Sequence, residues 1–583
     1  MSVPVRKVMS VVAGAALVAA SVAAGALPLS SSPRVTLGPR VAASSASELA
    51  PQLGQLLAGA SRLGPMPASQ VVHLSLGLRG RDGTTLARLL DAGRTVPSEE
   101  YAARFGPAPG LVHQVERALA VYGLRTSWSP GNATMDAAGP ASAAEHAFSV
   151  TLDRYSLTAA TRVVMFYAPS SQPTLPPRLG QLVTSVLGLD DFPALSPAAS
   201  FEPGTQGASS PQAAGGFTPA QVQGLYHFDP LYSPGGLSGS GQTVVFMEIS
   251  AFLPSDLESY ARAFGLPPFD VTGPVTNATW GQADPVNDAN WEPETEMDME
   301  IVHAMAPDAQ EVVYEAGATQ ASAPFGYVAE ALQSAVDTYP HAVFSISLGW
   351  CEDAAQARQL DGIFTQLAAS GGTALVSSGD NGAYARGCSE QTPSVEDPGD
   401  SPHVTSVGGT AAFIGAGSTY GAEAAWGNPV TQAGTGGGLS AVFPRPSWQV
   451  GPGVSNQYSN GMRQVPDVAS IGDGLTGWDV MAQGKWMVAA GTSAGAPLWA
   501  ALIALADQAL AERNLRAIGF ADPALYDIGA NTASFPGKAF HNVTAGNNLY
   551  YPATPGWNFA TGWGSPDASA LVSDLIVYRQ ANR

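Results

Sequence analysis

Short apolar runs alternate with helical patterns through the larger, carboxyl-terminal part of this 583-residue chain. QTVVFMEI, EVVYEAG, AVFSISLGW, TALVSSGD and HVTSVGG read as buried strands, and helical segments such as PSDLESYARAF and YVAEALQSAVDTY lie between several of them. Such alternation favours a mainly parallel sheet that is covered by helices on both faces. The sequence therefore predicts an α/β fold with functional groups at the carboxyl ends of strands and the amino ends of helices.

Composition divides the chain into five predicted regions. Arg6 and Lys7 precede an apolar Ala- and Gly-rich stretch, which indicates an export signal at 1–26 and a secreted, extracellular protein. A retained membrane anchor is the alternative, disfavoured because the stretch has a single Leu and no Ile for firm insertion. A flexible lead is expected at 27–66, a small α/β domain at 67–195, an exposed, protease-sensitive linker at 196–216, and the larger domain at 217–583.

The acidic composition excludes one class of function. The net charge is −21, from 47 acidic and 26 basic residues, which excludes a protein that tracks the phosphates of a nucleic acid. Only three lysines occur, and such a surface fits a protein that works at low pH. The two cysteines, Cys351 and Cys388, favour a disulfide in an exported chain. The sequence has no zinc-type Cys/His spacing and no phosphate-binding loop.

Three segments carry side chains suited to acyl transfer. In GKWMVAAGTSAGAPLWAALIALADQAL, a strand runs into Ser493 and then into an apolar helix, so the Ser493 hydroxyl faces the positive end of the helix dipole. In TALVSSGDNGAY, Asp380 follows a buried strand directly, where it is either a turn former or, when protonated, a hydrogen-bond donor to an oxyanion.

The third segment is an acidic helical pattern at 291–307, WEPETEMDMEIVHAMAP. With about 100° per residue, Glu294 and Asp298 lie within the arc of Met297, Ile301, Met305 and Val302. Burial of two like charges one turn apart is costly unless they share a proton or serve chemistry, so this pair predicts a base and the acid that orients it. Three other carboxylates and a histidine project to the opposite side and are expected in solvent: Glu292, Glu296, Glu300 and His303.

A serine nucleophile usually relies on histidine, and this chain has eight: His73, His113, His146, His227, His303, His341, His403 and His541. None lies in an HGTH-type setting. In acid, imidazole is almost entirely protonated while a carboxylate stays partly ionised, so a carboxylate base suits such a medium.

The three segments together resemble the sedolisin family of serine-carboxyl peptidases. The shared features are E-x-x-x-D on a helix, S-S-G-D at a strand end and G-T-S-A-G-A-P. Supporting stretches are SPHVTSVGGT, GGGLSAVFPRPSWQ, RQVPDVAS and TGWGSPDA, so the resemblance covers most of 216–575. It implies a subtilisin-like fold and, at 67–195, an amino-terminal pro-domain that blocks the enzyme until it is removed.

By motif position, the resemblance implies Ser493 as the nucleophile, Glu294 as its general base, Asp298 as the orienting acid and Asp380 as the oxyanion donor. The implied protein is an acid-active endopeptidase made as a zymogen, monomeric, with protein or peptide substrates and no membrane or nucleic-acid partner after its signal is cleaved. Acid is expected to release the pro-domain by protonating carboxylates at the contact. The alternatives are a neutral subtilisin-type protease and a catalytically silent secreted binding protein on the same fold.

The sequence departs from the family at its calcium site. The family places two Asp ligands near the carboxyl terminus, in patterns such as FHD and GPGWD, but here they read FHN and TPGWN, with Asn542 and Asn558. The carbonyls of Val543, Thr554 and Gly556 remain as oxygen donors, but without anionic ligands a hard dication binds far more weakly. We therefore expect no required cofactor and no tight calcium, with the two asparagines hydrogen-bonding the loop instead.

Overall fold

The computed structural model describes residues 57–582 apart from gaps at 160–161, 176–178, 181, 193–198, 204–214, 234, 277–284, 286–287, 318–324 and 389–391. The predicted signal at 1–26 and most of the predicted lead at 27–66 lie outside the described residues.

The amino-terminal unit consists of two antiparallel sheets with helices. One sheet has the order β1-β5-β6 and the other β3-β4-β2-β7. The strands are β1 (Ser61–Pro65), β2 (Val71–Leu78), β3 (Arg125–Ser127), β4 (Thr134–Pro140), β5 (Leu152–Ala159), β6 (Arg162–Pro169) and β7 (Val183–Leu187). The helices are α1 (Gly83–Asp91), α2 (Ser98–Arg104), α3 (Pro109–Ala120) and α4 (Ala141–Phe148). Because β1 pairs with β5, this unit begins before residue 67.

The larger unit is built on an eight-stranded, mainly parallel sheet, which confirms the predicted α/β class. Its order is β10-β11-β9-β12-β14-β16-β17, β22 pairs with β16, and only the β16–β17 pair is antiparallel. The strands are β9 (Thr243–Glu248), β10 (Val271–Val275), β11 (Gln310–Glu315), β12 (Val343–Ile346), β14 (Thr373–Ser377), β16 (Thr405–Ile414), β17 (Tyr420–Ala425) and β22 (Val468–Ile471).

Helices cover this sheet. They are α5 (Pro219–Leu225), α6 (Pro254–Phe264), α7 (Glu292–Met305), α8 (Phe325–Thr338), α9 (Ala354–Ser370), α10 (Gly495–Ala511), α11 (Asp522–Ala530) and α12 (Ala568–Ala581). Among the described residues, Thr492–Ala511 is the one helical stretch apolar and long enough to cross a membrane, and nearly all of it is buried in the protein core. Its apolar character therefore reflects core packing.

Short strands complete the larger unit. They are β13 (Trp350–Cys351) with β15 (Glu396–Asp397), β18 (Gly427–Asn428) with β19 (Ala433–Gly434), β20 (Gly438–Pro444) with β21 (Met462–Val465), and β25 (Phe540–His541) with β26 (Ser565–Pro566). Cys351 and Cys388 form the disulfide that the isolated pair favoured, with their Cα atoms 5.2 Å apart.

The predicted linker contains an ordered strand rather than being exposed throughout. Residues Ser200–Pro203 form β8, which pairs antiparallel with β24 (Lys485–Ala490), itself paired with β23 (Trp478–Ala482). The backbone of Ser200 is opposite Ala490, three residues before Ser493. Pairing to a strand satisfies the backbone polar groups of this segment, a constraint that its Ser/Pro/Ala/Gly composition does not reveal.

Helix α7 is buried on all sides, so the prediction that one of its faces lies in solvent is wrong. Glu296 and Glu300 are 0 % exposed and Glu292 is 7 % exposed. The helix contacts β9, β23, α5, α6 and α10, and these elements cover both of its sides. Backbone N–H groups replace water as partners, because Leu253 N donates to Glu296 Oε1 and Met481 N donates to Glu300 Oε2, each at 2.9 Å.

His303, also expected in solvent, is 1 % exposed. Its Nε2 lies 2.7 Å from Pro267 O, its Nδ1 lies 3.4 Å from Glu311, and its ring stacks on Phe269. A helical wheel assigns the polar residues to solvent, and it fails here because neighbouring elements supply polar partners on that side.

The amino-terminal unit packs its four-stranded sheet against helices α8 and α9 of the larger unit. Ser185 Oγ donates to Gln359 Oε1 at 2.7 Å, and Gln359 Nε2 donates to Ser75 Oγ at 2.6 Å. Asn132 Nδ2 donates to Asp337 Oδ2 at 2.8 Å. These hydrogen bonds rely largely on uncharged groups, which acid does not disrupt.

Two carboxyls at this contact bear on the expectation that acid loosens it, which stays a prediction. Burial and the nearby charge of Asp337 raise the pKa of Asp136 to about 7, and burial also raises the pKa of Asp337. A carboxyl whose pKa is raised in the complex takes up a proton as the complex forms. Asp136 therefore favours the contact at low pH and weakens it as the pH rises through about 7.

The buried carboxyls predict greater stability in acid. Burial raises the pKa of Glu300 well above its ordinary value, so folding takes up protons, and this contribution is lost as the pH rises. In a Ser493→Ala background, thermal unfolding should show a lower apparent Tm at pH 8 than at pH 4. Glu300→Gln, which does not ionise, should reduce this difference, while Glu99→Gln at an exposed position should not. An apparent Tm that rises from pH 4 to pH 8 would contradict this prediction.

Candidate active site

Ser493 lies where a strand meets a buried helix, as the sequence predicts. It belongs to the 3₁₀ turn Thr492–Ala494, between β24 and α10, and is 0 % exposed. Its Oγ has no protein hydrogen-bond partner of normal geometry among the described residues. A hydroxyl held in a dry turn, and not engaged in a structural hydrogen bond, is available to attack a carbonyl carbon.

Glu294, in the first turn of α7, interacts with Ser493. Burial raises the pKa of Glu294 to about 8, while the Ser493 hydroxyl acts in the opposite direction and the charge of Asp380 raises it further. Its Oε2 accepts a hydrogen bond from Ala199 N at 3.2 Å, and its Oε1 is buried without a partner. One carboxyl therefore interacts with both the serine hydroxyl and the backbone N–H of a segment that crosses the site.

Asp298 lies one turn further along α7 and is held from the sheet side. Ser347 Oγ donates to Asp298 Oδ2 at 2.6 Å, and Ser345 Oγ lies 3.3 Å from the same oxygen. Ser347 Oγ also lies 3.2 Å from the backbone O of Ser493. Burial, and then the charge of Glu294, raise the pKa of Asp298 well above its ordinary value. The two carboxyls thus disfavour simultaneous ionisation.

A third carboxyl, Glu248 at the end of β9, completes this cluster. It is 0 % exposed, and burial together with the charges of Asp298 and Glu294 raises its pKa well above the ordinary range. Thr295 Oγ1 lies 3.4 Å from Glu248 Oε2 and donates to Ser250 O at 2.9 Å. The cluster can therefore store protons beside Glu294.

Asp380 lies three residues beyond β14 and contacts the turn that holds Ser493. Its Oδ1 accepts hydrogen bonds from Thr492 N at 2.7 Å and from Thr492 Oγ1 at 2.8 Å. Burial raises the pKa of Asp380 to about 7, while the two hydrogen bonds from Thr492 and the charge of Arg386 lower it. In acid this carboxyl is protonated and can donate a hydrogen bond, which an ionised carboxylate cannot do.

The structure brings all four predicted site residues together. Ser347 bridges Asp298 to the Ser493 backbone, Thr492 joins Asp380 to the same turn, and the pKa of Glu294 responds to both Ser493 and Asp380. By contrast, no hydrogen bond of the described residues joins a histidine to Ser493 or Glu294. His403 pairs with Asp361 and His227 with Asp567.

Sequence reasoning missed Glu248, Thr492, Ser347 and the position of Ala199. A carboxylate that ends the otherwise apolar run QTVVFME was a usable signal for Glu248, because charge at the carboxyl end of a central strand faces the functional edge of a parallel sheet. The signal for Thr492 was its place directly before Ser493 in the G-T-S motif. The approach of Ala199 to Glu294 depends on the path of the chain in three dimensions, which no local sequence pattern encodes.

The loop expected to lack calcium is held together by its two asparagines. Asn542 Nδ2 donates to Gly556 O at 3.0 Å, and Asn558 Nδ2 lies 3.2 Å from Thr554 O and 3.4 Å from Val543 O. These amides direct N–H donors at the carbonyls that a cation would need, so the residues present do not fit calcium. In the described part of the chain, no group of His, Cys, Asp and Glu side chains is arranged to hold a metal ion.

Comparisons with known proteins agree with this geometry. Residues 58–192 match the pro-kumamolisin activation domain family. The chain is 31 % identical to kumamolisin of Bacillus sp. (strain MN-32), covering 88 % of this chain and 93 % of that protein. It is 29 % identical to sedolisin of Pseudomonas sp. (strain 101), covering 89 % of this chain and 88 % of that protein.

A solved structure of Pseudomonas sedolisin, a serine-carboxyl proteinase complexed with pseudo-iodotyrostatin, is also similar. It matches with a TM-score of 0.54 and 30 % identity, covering 63 % of this chain and 98 % of that one. Fold and site thus define a serine-carboxyl peptidase preceded by an activation domain. The chain belongs to the sedolisin family.

The asparagine loop gives a calcium prediction. Asn542→Asp with Asn558→Asp replaces two amide donors by carboxylates, and the double variant should bind calcium at least tenfold more tightly than the natural chain in calorimetric titration at pH 6. Each single variant should show a smaller increase in calcium affinity, because one carboxylate supplies half the added negative charge. Micromolar or tighter calcium binding by the natural chain would contradict this account.

Proposed function

We propose that this peptidase is an acid-active, secreted endopeptidase made as a zymogen, with Ser493, Glu294 and Asp298 as its triad and protonated Asp380 as its oxyanion donor. The observation that carries the proposal is the position of Glu294. Its Oε2 accepts the Ala199 N–H at 3.2 Å, and the neighbouring Ser493 hydroxyl lowers its pKa, so the carboxyl lies beside both a nucleophile and a peptide nitrogen.

In the acylation step, Ser493 Oγ attacks the substrate carbonyl carbon while its proton passes to Glu294. The carbonyl oxygen becomes an oxyanion, which the protonated Asp380 stabilises by a hydrogen bond. When the tetrahedral intermediate collapses, Glu294 gives the proton to the peptide nitrogen, the C–N bond breaks, and the new amine leaves. The carbonyl carbon remains joined to Ser493 Oγ as an ester.

Hydrolysis of the ester completes the reaction and repeats the same proton transfers with water as the nucleophile. Glu294 takes a proton from water as its oxygen attacks the ester carbon, and then returns that proton to Ser493 Oγ as the ester bond breaks. Asp298 orients Glu294 and disfavours a second negative charge, while Ser347 fixes Asp298. The acid product and the free serine hydroxyl result.

The segment around Ala199 supports both the zymogen and internal cleavage. β8 lies along β24 in front of Ser493, and Ala199 is 9 % exposed beside Glu294. Ala199 is an internal residue, so the site accommodates a bond within a continuous chain. We infer that Ala199 and β8 occupy the site as a substrate would, and that the peptide nitrogen of Ala199 belongs to the bond to be cut.

We infer that linker cleavage triggers activation in acid, since protonation of Asp136 does not oppose the domain contact. The covered site raises the pKa of Glu294 to about 8, so in acid only the small ionised fraction of Glu294 can make the first cut. Once β8 leaves and water enters, we expect this pKa to fall towards its ordinary range, which makes the base available in acid. The export signal and the monomeric state remain predictions from the sequence.

The catalytic roles predict a distinct pH profile. Casein hydrolysis should be fastest in acid and decline as the pH rises towards 7, because Asp380, whose pKa is about 7 in the linker-covered site, loses its proton. Ser493→Ala should abolish activity, and Glu294→Gln should lower kcat by about 10² to 10⁴-fold, the range of a general base. Asp380→Asn, whose amide donates without titrating, should lower kcat but remove the decline near pH 7.

Glu300→Gln is the matched control, since Glu300 lies on the same buried helix outside the site. Its kcat should stay within about threefold of the wild type. Undiminished hydrolysis by Ser493→Ala, or a wild-type optimum at neutral pH, would refute the proposal.

The linker geometry predicts the activation site. In acid, the wild-type chain should yield a product with Ala199 as its first residue, detected by mass spectrometry, whereas Ser493→Ala alone should stay intact. Ala199→Pro removes the N–H that reaches Glu294 and should slow this cut at least tenfold. Ser200→Ala, at an exposed neighbouring position, should leave the cut unchanged. First cleavage elsewhere, or at Ala199 in pure Ser493→Ala, would contradict this assignment.

A further inference from the structure

Thr492 surrounds one oxygen of Asp380 with hydrogen-bond donors. Its backbone N donates to Asp380 Oδ1 at 2.7 Å, and its Oγ1 donates to the same oxygen at 2.8 Å. Thr492 Oγ1 in turn accepts a hydrogen bond from Gly379 N at 3.1 Å. The single hydroxyl proton of Thr492 is thereby directed to Asp380, because the N–H of Gly379 occupies an acceptor position of the hydroxyl.

Oδ2, the other oxygen of Asp380, faces the bound linker. A Cβ atom placed on Gly491 would lie 2.5 Å from Asp380 Oδ2 and 2.9 Å from Ala199 Cα. The space that the missing side chain leaves is therefore shared by Oδ2 and the segment that occupies the site. Gly491 also has φ 139°, a conformation that other residues rarely adopt, so both the space and the turn require glycine.

These contacts make the two oxygens of Asp380 unequal. An oxygen that accepts two hydrogen bonds is a poor place for a proton, whereas the oxygen without them can carry it and donate. We propose that Thr492 is a positioning residue that keeps the proton of Asp380 on Oδ2, directed at the substrate carbonyl, and that fixes the rotation of this carboxyl. This role rests on the proposed function of Asp380 as oxyanion donor.

The ionisable groups around Asp380 come from three elements. They are Glu294 on α7, Arg386 on the loop after Asp380, and Glu396 on β15. Arg386 favours the ionised form of Asp380, whereas Glu396 disfavours it. The Thr492 hydroxyl also favours the ionised form, and it differs from these groups because it can be removed without changing any charge.

Thr492→Val keeps the shape of the side chain and removes the hydroxyl. Loss of a donor to Asp380 Oδ1 should raise the pKa of Asp380, so the alkaline decline of kcat should move upward by about one pH unit. Maximal kcat should fall about tenfold to a hundredfold, because a free carboxyl no longer presents its proton in one direction, while KM should stay within about threefold. Thr492→Ser, which retains the hydroxyl, should restore both the rate and the decline.

Thr405→Val is the matched control. Thr405 is buried at the start of β16, and its Oγ1 donates to the buried Asp522 Oδ1 at 2.7 Å, a similar hydrogen bond away from the site. Its loss should lower the apparent Tm without moving the pH profile. Rates are measured on the acid-activated full chain and divided by the active-enzyme concentration from titration of Ser493 with an irreversible serine probe.

An unmoved alkaline decline in Thr492→Val with kcat within threefold of the wild type would overturn the proposal, as would failure of Thr492→Ser to restore the profile. If Thr492→Val does not fold, the same shift in the alkaline decline and the same fall in kcat are expected for Thr492→Ala, with Thr492→Ser again as the variant that restores them. The Ser493→Ala variant distinguishes failure of the catalytic proposal from failure of the role proposed for Thr492. An active Ser493→Ala enzyme refutes the catalytic proposal itself, whereas an inactive one with an unmoved Thr492→Val profile refutes only the role of Thr492.

Discussion

The burial of three carboxyls beside one serine is the constraint on which the rest of the structure depends. Glu294, Asp298 and Glu248 are 0 % exposed; burial raises the pKa of each, and the charge of Glu294 raises those of Asp298 and Glu248 further. Such a cluster is tolerated only where protons neutralise it and hydrogen bonds orient it. Ser345, Ser347 and Thr295 provide hydroxyl donors at the functional edge of the sheet.

This constraint also relates the acidic surface to the buried interior. With 47 acidic and 26 basic residues, the chain gains little positive charge in acid, and its buried carboxyls are stable when protonated. The contact between the activation domain and the peptidase follows the same rule, because the pKa of Asp136 at that contact is raised to about 7. In the proposed mechanism low pH also keeps Asp380 protonated.

Local periodicity predicted the fold class and the inward pair Glu294 and Asp298, because it records which face of an element is buried. Ser493 and Asp380 were predicted from their places at a helix start and a strand end, and the roles of all four from the resemblance to the sedolisins. Glu294 and Asp298 lie one turn apart, and their inward direction follows from 3.6 residues per turn. The prediction that Glu296, Glu300 and His303 lie in solvent was wrong because their partners are not encoded within the helix. Their partners are Leu253, Met481 and Pro267, which lie on other elements, and periodicity within one helix carries no information about them.

The linker shows the same limit at larger scale. Its composition predicts exposed chain, yet Ala199 and β8 lie against the site because β24 offers an unpaired edge. Edge pairing uses backbone groups, so almost any sequence can satisfy it, and side-chain patterns do not reveal it. The same generality suits an edge that must accept varied substrates.

The central claim is that carboxyls, and not imidazole, handle the proton of Ser493. The most direct measurement is the rate at which a fluorophosphonate probe labels Ser493 in the acid-activated enzyme at pH 4, for Glu294→Gln and for alanine at each of the eight histidines. The account predicts labelling at least a hundredfold slower in Glu294→Gln and near wild-type rates in every histidine variant. Fast labelling of Glu294→Gln, or loss of labelling in one histidine variant that remains folded, would contradict it.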